Sequence, residues 1–270
     1  MNMDNHFSFS QSSLQSYLNC RHQFFLRYIQ RLNWPSSLLD PWNPAEIERQ
    51  AGIRFHRLAQ NFFLGVPEEV IRTHAVNDDD SRMDVWVSNL INAFKSHIGS
   101  EASPEMTMTG KIGPFSATAK FDLLVIKAHE IHIYDWKTSR HAPKAGWLRR
   151  RVQTQLYPLL ALRAYQQKTG NTVIPQINFT YWEASFPANP IIFSIGENDL
   201  RQSEEYLIDL MTEITHQPTD NFYKTTHQDR CAYCLYRTYC HRQLTDANNL
   251  ELEQDMRFTD FELPDISAGK

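Results

Sequence analysis

Phe121-Asp122-Leu123-Leu124-Val125-Ile126 is followed, across a short turn, by Ile131-His132-Ile133-Tyr134-Asp135-Trp136-Lys137-Thr138. Both runs are rich in β-branched and aromatic residues, and the turn between them holds Ala128-His129. Two strands joined this tightly are antiparallel neighbours. Asp135 and Lys137 stand two residues apart, so their side chains leave the same sheet face. Core packing does not explain an acid and a base at the end of an apolar strand. Asp122 approaches them from the neighbouring strand. Two carboxylates converging on one point suit Mg²⁺ or Mn²⁺, which favour oxygen ligands. A lysine beside them can orient a water and stabilise developing negative charge. A plain surface ion pair at a sheet edge is the competing reading of Asp135 and Lys137.

Upstream, Glu105–Lys111 is a third β-rich run, separated from the first by Gly113-Pro114. Before it lie three helical patterns: Ser8 to Arg31, Ala45 to Phe63, and about Ser81 to Ile98. Trp34-Pro35 and Pro41-Trp42-Asn43-Pro44 mark a loop between the first two. Downstream, a long helix is expected from about Gly146 to Thr169, ended by Gly170. Strands Ile174–Glu183 and Ile191–Ile195 follow, then a helix at about Glu197–His216. Helices, three strands, helix, two strands, helix is an α/β order with a mixed sheet and a helical lobe at its front.

Several side chains are placed to join the paired acids. Gln153 and Tyr157 lie one turn apart on the helix after the Asp-x-Lys strand and share a face; a polar flank with Tyr157 in the core is the alternative. Arg140, Lys144, Arg149, Arg150 and Arg151 are five bases directly beyond that strand, suited to phosphates along a nucleic-acid strand or to an ordinary solvated face. His56 stands alone in the second helix. An imidazole added to two carboxylates shifts preference toward Mn²⁺.

The chain's four cysteines sit at its two ends: Cys20, then Cys231, Cys234 and Cys240. They suffice for one tetrahedral zinc or one iron–sulfur cluster, and the residues alone do not choose between the two. Closing a loop of about 210 residues costs on the order of 5 kcal/mol. A structural metal centre contributes about 10–16 kcal/mol, so it can clasp the two ends.

The 41% apolar content supports a sizeable core, and no apolar run is long enough to span a membrane. The N-terminus lacks a signal-peptide pattern, so a cytoplasmic location is expected; there, reduced thiols favour a metal site over disulfides. The net charge is −4. The tail from Asp246 to Lys270 carries −5 of it, from seven acids and two bases, which leaves about +1 for residues 1–245. That balance argues against wholesale coating of nucleic acid and permits a local basic groove. Phe258, Phe261 and Leu263 punctuate the tail like a docking peptide, although disorder is the simpler expectation.

In this order, Asp122, Asp135-x-Lys137 and Gln153-x-x-x-Tyr157 resemble the core of the PD-(D/E)XK nucleases. His56 is similar to the histidine upstream in RecB-like members. Cys20 with Cys231-x-x-Cys234-x5-Cys240 resembles the split cysteine pattern of their iron–sulfur subset, which includes CRISPR-associated RecB-like exonucleases and the AddB nuclease domain. The resemblance spans residues 8 to about 242. It implies a restriction-endonuclease-like fold and metal-dependent cleavage of DNA, with single-stranded ends favoured. It further implies Mg²⁺ or Mn²⁺ on His56, Asp122, Asp135 and the Trp136 carbonyl, with Lys137 positioning the attacking water. Gln153 and Tyr157 would support the site or the DNA. Cys20, Cys231, Cys234 and Cys240 would hold a 4Fe-4S cluster. Two departures from the family pattern are Asp135 where many members have Glu, and Lys120-Phe121 where a small or glycine-containing approach precedes the first acid.

The expected organisation is one nuclease domain over 1–245. Within it are a helical insertion at about 45–100, a core at about 104–195 and a cluster-binding segment at 217–242; an acidic tail follows at 246–270. No Gly-x4-Gly-Lys-Ser/Thr motif is present, so any unwinding belongs to a partner such as a helicase; CRISPR integration proteins are the other partner class expected. The competing functions are a catalytically idle DNA-binding scaffold and a zinc-bearing nucleic-acid-binding protein.

Overall fold

The computed structural model describes residues 7–32, 44–99, 101–231 and 234–242. The acidic tail and the Trp34–Asn43 loop lie outside the described residues. Strands β1 (Ser8–Ser10), β2 (Ala102–Ile112), β3 (Phe115–Ile126), β4 (Glu130–Lys137), β5 (Gln176–Glu183) and β6 (Ile191–Ile195) form one mixed sheet. The path runs β1-β3-β4-β5-β6, with β2 on the other edge of β3. The β4–β5 and β1–β3 pairs are parallel and the others antiparallel.

Strand β3 organises the sheet. Nearly its whole length pairs with β2, through a tight turn at Gly113-Pro114. Its second half, Leu123–Ile126, pairs with β4. The free edge of its first half takes β1 at Ser116–Thr118. Only three residues pair there, so Ser8–Ser10 carries no strand pattern of its own, and the helix expected from Ser8 begins instead at Gln11. Ser10 caps it: its Oγ accepts from Ser13 N, and Ser13 Oγ accepts from Ser10 N. Helix α1 (Gln11–Asn19) then breaks at Cys20, whose backbone is extended, before α2 (Arg21–Phe24) and a wider π-turn at Phe25–Ile29.

Two apolar cores flank the sheet. On one face, α3 (Pro44–Phe63), α4 (Glu68–Val76) and α5 (Met83–Phe94) form the helical lobe. The stripe Ala51, Phe55, Ala59 and Phe62 of α3 packs with Trp86, Leu90 and Phe94 of α5 onto Leu123, Val125 and Trp136. The other face carries α7 (Val152–Thr169) and α8 (Glu197–His216), with α1, over Phe121, Leu124, Ile131, Ile133 and Phe179. The single helix expected from about Gly146 is two: α6 (Ala145–Leu148), then α7 after an extended Arg151. Gly170 ends α7 in the left-handed region, φ 68°. Among the described residues no helix is long and apolar enough to cross a membrane.

Alternation along β3 slips once. Ala117, Ala119 and Phe121 face the α7 core, and so do Leu124 and Ile126; Leu123 and Val125 face the helical lobe. The slip falls at Asp122. On β2, the residue directly opposite is Glu105, and the ladder skips this one position. Glu105 itself adopts φ 51°, which is rare for a side chain with a Cβ.

Candidate active site

The β3–β4 ladder ends at Leu123 and Tyr134. The next opposed positions, where the strands part, are Asp122 and Asp135. Asp122 spans the opening: its Oδ2 accepts from Trp136 N at 2.7 Å. Asp135 and Lys137 point to the α7 face, as their spacing requires, and are almost fully buried, with side chains 4% and 8% exposed. Lys137 Nζ lies 2.6 Å from Asp135 Oδ2. Gln153 Nε2, from the first turn of α7, donates to Asp135 Oδ1. On β5, Glu183 sits beside Lys137 in register, and its carboxylate accepts from Ser139 N at 3.2 Å and Ser139 Oγ at 3.4 Å. That contact holds the chain as it leaves β4.

The helical lobe supplies the third side of the site. Gly52, one turn before His56 on α3, lets the helix approach β4: a Cβ there would stand 3.3 Å from Thr138 Oγ1. His56 Nδ1 then lies 3.3 Å from Asp122 Oδ1 and 3.6 Å from Glu105 Oε1. Ligand atoms of His56, Glu105 and Asp122 all fall within 4.8 Å of one another. An imidazole with two carboxylates matches a hard-to-borderline divalent cation, and the buried Oε1 of Glu105 makes no hydrogen bond. The residues present therefore fit a metal ion. Sequence reasoning missed Glu105, whose one signal was its place as an acid at the start of an otherwise apolar-alternating strand.

The charges are tuned in opposite directions. Burial alone would lower the His56 pKa, but the carboxylates of Asp122 and Glu105 overcome it and push it up to about 10. Burial would raise Asp122, yet His56, Lys137 and the Trp136 N–H hold its carboxyl below the usual range. Asp135 goes the other way: burial raises it and the Asp122 charge adds to this, against the pull of Lys137. Two acids with separated proton affinities in one cleft are a frequent mark of a functional site.

A sequence model of the PD-(D/E)XK nuclease superfamily matches residues 8–241. The chain belongs to this superfamily. As a PD-(D/E)XK nuclease it carries its acids where the β3 and β4 strands part, with the Asp-x-Lys lysine beside them. Among solved structures, one similar chain is a protein from Eubacterium rectale named "Putative exonuclease" (12% identity, TM-score 0.46, 77% of this chain and 81% of that one). Another is named SSO0001 (14% identity, TM-score 0.42, 91% and 90%). No curated protein matches the chain.

The remaining expected site residues are distributed unevenly around the nuclease core. Tyr157 is buried, its ring against Phe121 and Phe179 in the core beneath Gln153. The Trp136 ring stacks on Phe63 in the lobe, 5.5 Å between centroids. Of the five bases, Arg140, Lys144, Arg149 and Arg150 are exposed. Arg140 pairs with Glu48, and Arg149 pairs with Asp199 at 2.7 Å. Arg151 is not on the surface: its extended backbone at the start of α7 turns it inward, 4% exposed, with the guanidinium 4.6 Å from the Trp147 ring centre.

The cysteines meet away from this cleft, where α1 breaks and the chain segment after α8 returns. None of the four is joined in a disulfide, and each is half-buried. Cys20 Sγ accepts from Thr225 N at 3.4 Å. Burial pushes the Cys234 thiol up to about 12, and the neighbouring sulfurs of Cys20, Cys231 and Cys240 add to the rise. Burial raises the Cys240 thiol as well, and thiols held protonated in this way are donors that a cationic centre would convert to thiolates. The ends also hold each other without it. Arg230 donates to Leu18 O and Asn19 O, Tyr236 Oη to Leu32 O, and His22 N to Tyr223 O. Tyr17 Oη and Arg21 both donate to Glu213 of α8.

Proposed function

We propose that this nuclease is a Mg²⁺- or Mn²⁺-dependent DNA exonuclease acting on single-stranded ends, with a structural 4Fe-4S cluster on Cys20, Cys231, Cys234 and Cys240. The observation that carries the reading is the opposition of Asp122 and Asp135 where β3 and β4 part, with Lys137 and His56 against them. A divalent cation held there, when bound, would lower the pKa of water and neutralise charge on the scissile phosphate. Lys137 is fixed by Asp135, so its ammonium is preorganised to orient the attacking water and to stabilise the added negative charge. Gln153 holds the other oxygen of Asp135 and so keeps that pair in place. His56 and Asp122 orient each other across the cleft.

The single-strand preference and the pathway, CRISPR adaptation or recombinational repair with a helicase or integration complex as partner, rest on the family resemblance. The cluster rests on the gathered cysteines and on the same resemblance. The test is anaerobic purification followed by Mn²⁺ and Mg²⁺ assays on end-labelled single- and double-stranded DNA, with Asp135→Ala as control. Metal-dependent release of nucleotides from single-stranded ends, absent in the control, is expected. Iron and acid-labile sulfide should be present at cluster stoichiometry; zinc in their place, or a colourless and fully active protein, would refute the cluster. DNA binding without cleavage by the intact protein would favour a scaffold.

A further inference from the structure

Glu105 is an acid of the cleft that neither the strand pattern nor the Asp-x-Lys motif anticipates. Its side chain is 8% exposed. Oε2 is held by Lys120 Nζ at 2.7 Å, whereas Oε1 is buried without a hydrogen bond and lies 3.6 Å from His56 Nδ1. A buried carboxylate oxygen without a donor is costly and calls for a ligand. The left-handed backbone at Glu105 and the skipped ladder position opposite Asp122 bring the two carboxylates to the same point. Asp135 Oδ2 likewise makes no hydrogen bond, but it has the Lys137 ammonium against it at 2.6 Å, and Gln153 Nε2 donates to its other oxygen.

We propose that Glu105 is a metal ligand of this site, completing it with His56 and Asp122, and that Lys120 is the positioning residue that fixes its carboxylate. Lys120 neutralises one oxygen from outside, through a side chain 48% exposed, and leaves the other directed into the cleft. Asp135 is thereby freed to act with Lys137 on the water rather than serving mainly as a ligand. The inference rests on the nuclease reading of the same cleft.

The test is isothermal titration of the full-length protein with Mn²⁺, comparing wild type with Glu105→Gln, Asp122→Asn, Lys120→Met and Lys120→Arg, alongside melting curves of each metal-free protein. Loss of a partner in the shell behind a metal's ligands already costs about 10–100-fold in affinity, so Glu105→Gln should weaken Mn²⁺ binding by at least about tenfold. Lys120→Met should weaken it by a smaller factor and Lys120→Arg should restore it, with melting temperatures little changed. Should Glu105→Gln fail to fold, Glu105→Asn replaces it, because Asn accepts a left-handed backbone. If Asp122→Asn weakens binding and Glu105→Gln does not, the Glu105 assignment is overturned and the nuclease site stands. If wild type binds no Mn²⁺, both fall.

Discussion

Lys137→Met separates the role of the Asp-x-Lys lysine in catalysis from its role in the fold. Lys137 and Asp135 are a buried ion pair at 2.6 Å. Removing one member of such a pair leaves an uncompensated charge and costs about 3–5 kcal/mol. Asp135 keeps Gln153, and burial already raises its pKa, so protonation of Asp135 relieves part of that cost and the lower end of the range is expected. At roughly 2–4 °C per kcal/mol for a chain of this size, about 3 kcal/mol shifts Tm by roughly 6–12 °C. Asp135→Asn with Lys137→Met removes both charges and should recover most of the loss, since a buried pair is often replaceable as a pair. Catalysis should not recover. Losing a preorganised donor that stabilises transition-state charge costs about 10²–10³ in rate, while Mn²⁺ affinity should change little because Lys137 is not a ligand. The assays are thermal melts, Mn²⁺ titration, and single-turnover cleavage of end-labelled single-stranded DNA. Full Mn²⁺-dependent cleavage by Lys137→Met would refute the mechanism. A rate loss matched by an equal loss of Mn²⁺ affinity would show that the lysine acts only by shaping the metal site.

Lys144 and Arg150 are the two exposed expected DNA contacts outside the Arg140–Glu48 and Arg149–Asp199 ion pairs, so Lys144→Ala with Arg150→Ala should reduce the salt dependence of single-strand binding by about 1.4 in log–log slope, measured by fluorescence anisotropy between low and moderate salt; an unchanged slope would remove them from the DNA path. Gly113 turns the β2–β3 hairpin at φ 54°, and a Cβ there would meet Ile208 Cδ1 at 2.7 Å. Gly113→Ala should therefore cost roughly 2–5 kcal/mol from the left-handed penalty plus overpacking, read as a lower denaturant midpoint. In metal-free protein the raised His56 pKa means that its charged form stabilises the fold fully below its unfolded pKa of about 6.5. That contribution is lost as pH rises toward about 10. Wild type should lose melting temperature over this window more steeply than His56→Gln; parallel curves would contradict the electrostatic assignment.

Much of this protein is written locally. Runs rich in β-branched and aromatic residues between short turns marked β3 and β4, and helical patterns marked α3 and α8, because such signals are carried by neighbouring residues. Asp122, Asp135, Lys137 and Gln153 were legible for the same reason: hairpin and helix geometry bring them together over short stretches of chain. Arg151 was misplaced because one extended residue at a helix start redirects a side chain, and a run of three arginines does not say which one turns inward. Strand β1 was invisible because three residues pair only where β3 offers a free edge.

The sequence by itself determined the order of the longer elements, the mixed α/β class and the paired acids of the cleft, since these follow from local residue patterns and short turns. The tertiary structure alone decided that Glu105 faces Asp122, that His56 reaches both, and that the segment around Cys20 is laced by hydrogen bonds to the segment after α8. Those contacts depend on strand register, on a left-handed residue and on how a helix packs across a sheet. Each relates residues far apart in the chain, and no local pattern records such distances.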